Sequence, residues 1–110
     1  IATNFSENVI LEPQTFSPDN DGFNDVLNIN YAFDAPGNVA NIEIMDTDGR
    51  PIKILSQNEL LAISGTISWD GSSDNSLKAR AGMYIVHFQI FNEKGENQRF
   101  KKVCVLAVNF

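Results

Sequence analysis

The stretch Phe16-Ser17-Pro18-Asp19-Asn20-Asp21-Gly22-Phe23-Asn24-Asp25 is the part of the chain best equipped for chemistry. Hard cations take several oxygen ligands that converge on a sharp turn, and glycine permits the turn. With Ser17 in the first position of a calcium loop, Asp19 and Asp21 fall at the third and fifth, Gly22 at the sixth and Asp25 at the ninth. The register is partial, because the first position is Ser rather than Asp and the twelfth, Asn28, is not a bidentate Glu. Calcium is therefore the one candidate cofactor, with Asp19, Asp21 and Asp25 as its ligands. The alternative is a loop held by Asx-turns, in which Asp and Asn side chains bond nearby backbone N–H groups.

The other reactive residue types are scarce. The one histidine, His87, sits in the middle of an alternating segment with no orienting carboxylate or nucleophile beside it in sequence. The one cysteine, Cys104, lies in Lys102-Val103-Cys104-Val105-Leu106, which reads as a buried small hydrophobe in a strand. A lone cysteine rules out an internal disulfide. No nucleophile elbow, phosphate loop or Cys/His metal spacing occurs. The expectation is a protein that is not an enzyme.

Composition narrows the partners. The net charge of −6 and pI near 4.5 argue against nucleic acid and anionic membranes, both of which need a basic footprint. No apolar run is long enough to cross a bilayer, so direct membrane insertion is not expected. The sequence starts at Ile1 without a signal peptide, and the leader of an exported parent protein is expected upstream.

The elements that must position these residues are short and alternating. Residues 1–8 read as the end of a linker, and 9–110 as one domain. Val9-Ile10-Leu11 reads as a strand stopped by Pro13. Val26–Phe33, Ala40–Asp46, Pro51–Leu55, Gly65–Trp69, Met83–Phe91 and Asn97–Val108 read as further strands. Asp46-Thr47-Asp48-Gly49 and Asn92-Glu93-Lys94-Gly95-Glu96 read as hairpin turns. Asn58–Ile63 carries the one hint of helix. Trp69 is expected to fill the core, and the Tyr84 hydroxyl to anchor the corner that opens its strand. The pattern predicts an all-β, immunoglobulin-like β-sandwich of about seven antiparallel strands, with a small barrel as the alternative.

Taken in order, these landmarks resemble a known family. Phe16 to Asp25 resembles the opening motif of the gliding-motility-associated C-terminal domains of Bacteroidetes. Trp69-Asp70-Gly71 followed by Ala81-Gly82-Met83-Tyr84-Ile85 resembles their second motif, shared with the immunoglobulin-like domain of flagellar hook-capping proteins. The resemblance covers nearly all of residues 9–108, with Asp19 standing where the family often has Asn. It implies an immunoglobulin-like domain joined to a larger parent polypeptide. It also implies a non-catalytic type IX secretion sorting or anchoring signal, read by secretion-machinery proteins at the outer membrane. The parent is then secreted or held at the cell surface, and the domain is a monomer by default. Two other readings accompany this one: an adhesion or spacer module stiffened by calcium, and a carbohydrate-binding accessory domain. The last needs Trp69, Tyr31 or Tyr84 in an exposed platform.

Overall fold

A computed structural model describes residues 5–18 and 25–107. A short 3-10 helix, η1 (Phe5–Asn8), leads into eight strands: β1 (Val9–Glu12), β2 (Thr15–Phe16), β3 (Leu27–Ala32), β4 (Val39–Asp46), β5 (Pro51–Leu60), β6 (Ser64–Trp69), β7 (Gly82–Phe91) and β8 (Asn97–Leu106). They form two sheets, β1-β3-β6 and β2-β8-β7-β4-β5. Every pairing is antiparallel except the two-residue β2, which runs parallel to the end of β8. The architecture is the expected all-β sandwich, with β2 as the eighth strand.

Period-two patterning explains the main strands. In β7 the residues Tyr84, Val86, Phe88 and Ile90 are buried while their neighbours face outward. β4 buries Ala40, Ile42 and Ile44 in the same way, and β3 contributes Leu27 and Ile29 from the opposite sheet. Burying each such large side chain contributes about 1.5–3 kcal/mol. The turns carry their own chemistry. The Asp46 carboxylate accepts the N–H groups of Asp48 and Arg50, each at 2.9 Å, and Gly49 takes φ +84°. The Arg50 N–H bond, first among several contacts, holds the Asp46 carboxyl below its ordinary range.

Two stretches depart from the sequence reading. Asn58–Ile63 does not form a helical turn: β5 runs on to Leu60, which pairs with Val39. Asn58 sits at φ +49° in a bulged stretch of the β4–β5 ladder, and its N–H and side chain bond Asn41 across the strands at 2.7 and 3.1 Å. Phe5, in the segment read as linker, is 2 % exposed and packs edge-on against Phe33 with ring centroids 5.7 Å apart. Its N–H donates to the Gln98 side chain at 2.9 Å. The core therefore begins upstream of the first strand.

Candidate functional site

The conspicuous sequence motifs converge at one pole of the sandwich. Phe16 packs on Trp69 at 5.4 Å, and Trp69 packs edge-on against Tyr84 at 5.3 Å. All three are buried. The Trp69 indole N–H donates to the Ser72 carbonyl oxygen at 2.8 Å, so the ring is satisfied as well as packed. The Tyr84 hydroxyl donates to the Arg80 carbonyl oxygen at 2.6 Å, forming the expected corner. Between these groups runs the Asp70-Gly71-Ser72 turn. The Asp70 carboxylate accepts the Ser72 hydroxyl at 2.6 Å and the Ser72 N–H at 3.0 Å. Those two bonds, the hydroxyl first, pull its carboxyl below the usual range. Gly71 at φ +85° lies so close to Pro18 and Leu106 that a β-carbon there would sit 3.1 Å from each.

This arrangement settles what the motif residues do: they build the core and its exit turn. With Trp69 and Tyr84 in the core and Tyr31 half-buried over Gly65, they form no platform for a sugar ring. Of the calcium candidates, Asp19 and Asp21 lie outside the described residues. Asp25 precedes β3 and is partly buried. Among the described residues, no three acidic, histidine or cysteine side chains gather to hold a metal.

The remaining reactive groups are accounted for by their surroundings. His87 lies on the outer face of the larger sheet, in register with Glu43 on β4 and Lys101 on β8. Glu43 is thus a carboxylate neighbour that only the strand pairing supplies. Cys104 is 1 % exposed, and burial pushes its thiol up to about 11. At neutral pH it is a protonated, enclosed hydrophobe, not a nucleophile. The raised value has a consequence for stability. The unfolded chain releases this proton near 9.0 and the folded chain near 11, so stability is complete below pH 9 and falls as pH rises through 11. The loss is on the order of 2 kcal/mol. Denaturant midpoints at pH 8.5 and 10.5 should differ by this increment more in the native chain than in Cys104→Ala.

What the fold leaves free is a set of surfaces. At the pole opposite the motifs, the β3–β4 and β7–β8 turns enclose an open cleft of about 610 Å³, walled by Phe33, Pro36, Leu60 and Phe91. On one flank a smaller groove of about 350 Å³ separates β1 from β8, lined by Val9, Leu11, Gln14, Lys102 and Val103 among others. Beside it, among the described residues, β8 is paired on this side by β2 at Val105 and Leu106. Strand order is not written in local alternation, so the sequence reading could not find this flank. The two clefts and the strand edges beside them are surfaces that a partner can meet.

Comparison with known proteins agrees. The family model of the CHU_C type IX secretion signal domain matches residues 10–106, and the chain belongs to this family. No curated protein matches the chain. Among solved structures, that of CopC from Methylosinus trichosporium OB3b is similar in fold, with TM-score 0.50 and 14% identity over 78% of each chain. The chain is therefore a type IX secretion sorting module, not a member of a catalytic family. The protein that carries it is exported across the outer membrane, to the medium or the cell surface.

Proposed function

We propose that the secretion machinery reads this domain as a folded unit, through exposed strand edges and turns, after the parent polypeptide has reached the periplasm. The observation that supports this reading is the burial of Phe16, Trp69 and Tyr84. These three aromatic residues of the family signature touch one another and not solvent, so a partner meets them only as the shape they maintain. The partners are secretion proteins at the outer membrane, and the domain acts as a monomer attached to its cargo.

The test is export of a reporter carrying residues 1–110. Phe5 belongs to the core, so the fusion includes the segment before β1. The reporter is expected outside the cell in a strain with an active type IX system and inside the cell in its secretion-null mutant. Retention in both strains would overturn the reading. Calcium binding by Asp19, Asp21 and Asp25 is a subsidiary proposal, supported by the loop's count of oxygen ligands. Millimolar calcium added after chelation should then raise the melting temperature, and an unchanged value removes calcium from the account.

A further inference from the structure

We infer that the free edge of β8 from Arg99 to Val103 is a strand-addition site, and that it takes an extended segment alternating apolar and acidic side chains. The inference rests on the sorting reading for the identity of its natural partner, and on the structure for its chemistry.

Three observations carry it. The first is backbone geometry. The Val105 N–H donates to the Gln14 carbonyl oxygen at 2.7 Å, and the Ala107 N–H to that of Phe16 at 2.8 Å. Odd-numbered residues of β8 thus point their peptide groups away from β7 and toward the β2 side. By alternation Arg99, Lys101 and Val103 do the same, and no described strand stands there to receive them. The chain that could have filled the place runs instead in β1 of the other sheet.

The second is the contrast with the far edge of the same sheet. There Asp74 covers the start of β5: its N–H donates to the Ile52 carbonyl oxygen at 2.9 Å, and its carboxylate accepts the Ile54 N–H at 3.3 Å. Covering an edge in this way prevents unwanted pairing. The start of one edge is covered by the protein's own loop, whereas no described strand pairs with the other from Arg99 to Val103.

The third is charge and shape. β8 carries Arg99, Lys101 and Lys102 and no carboxylate, in a chain of net charge −6. None of the three forms an ion pair with a described residue. Arg99 and Lys101 are exposed on the outer face, so a strand laid beside them is favoured by carboxylates in the flanking positions. Its alternate side chains turn toward the groove between β1 and β8, where Val9 and Leu11 offer apolar contact beside Gln14 and Lys102. Lys102, whose ammonium lies 6.0 Å from the Phe100 ring centroid, stands at the groove. A second copy of the chain fails the same test, because antiparallel pairing of two β8 edges would bring their basic side chains together.

The experiment uses two synthetic decapeptides, one alternating valine with glutamate and one alternating valine with lysine, added to the intact chain. Amide exchange at Arg99, Lys101 and Val103 should be fast in the free protein. It should slow at least about tenfold with the glutamate peptide and not with the lysine peptide, as reversal of two to three cross-strand charge contacts requires. The double substitution R99E/K101E should invert the preference. Lys101→Pro should abolish binding while leaving the fold intact, since the lost N–H faces the open side and not β7. In the export assay both variants should lower secretion of the reporter. Amides already protected in the free chain, or export of both variants at the native level while the native fusion is secreted normally, would overturn the inference. Failure of the native fusion itself would instead count against the sorting reading.

Discussion

Trp69→Ala should lower the stability of the domain by about 3–5 kcal/mol. The ring is 1 % exposed and touches Phe16 from β2 and Tyr84 from β7, so its removal opens a cavity at the junction of both sheets. It also leaves the Ser72 carbonyl oxygen without its donor. A domain of this size holds about 5–15 kcal/mol in total, so the loss takes a large share of it. Because Trp69 is the one tryptophan in the chain, unfolding of the variant should be followed by far-ultraviolet circular dichroism in urea rather than by fluorescence. Trp69→Phe keeps an aromatic ring and should be milder. If the machinery reads the folded shape, secretion of the reporter should track stability across the two variants. A Trp69→Ala domain within 1 kcal/mol of the native one would contradict the role of the ring as the core's centre.

The second large effect concerns backbone and packing together. Gly49 and Gly71 have nearly the same left-handed conformation, at φ +84° and +85°. A β-carbon at Gly49 would meet nothing within 4 Å, whereas one at Gly71 would meet Leu106 and Pro18, each at 3.1 Å. Gly49→Ala should therefore show the conformational penalty alone, about 1–2 kcal/mol. Gly71→Ala should show that penalty plus about 1–3 kcal/mol for forcing Leu106 and Pro18 apart. The difference between the two midpoints isolates the close approach of the Trp-Asp-Gly turn to the last strand. Equal losses would mean that this approach relaxes freely.

Much of the fold was legible because burial on one face writes itself into alternation. β3, β4, β7 and β8 each carry that pattern, and the Tyr84 corner was readable from its place at the head of a long strand. The misreadings share one physical cause. Asn58–Ile63 has the residues of a helical turn, but pairing with β4 and the Asn41–Asn58 bonds outweigh that local preference. Phe5 stands alone in a polar segment, so no period marks it as core. β2 is two residues long and its partner, β8, lies far along the chain. The free edge of β8 depends on which strands become neighbours, a property of the assembled sheet and not of any single segment. The Asp-rich loop drew attention for its ligand count, while the described part of the site turned out to be aromatic packing around Gly71.

The route of the chain through the sandwich has a mechanical meaning. It enters at Phe5, beside Phe33 and Gln98, and leaves β8 at Leu106, beside Gly82 and the Gly71 turn at the opposite pole. A tether pulling on these two points loads the strands along their own length. The β1–β3 and β7–β8 ladders then resist in shear, with many hydrogen bonds strained together rather than opened one at a time. A cargo dragged against a surface would thus be held by a module loaded along its strands.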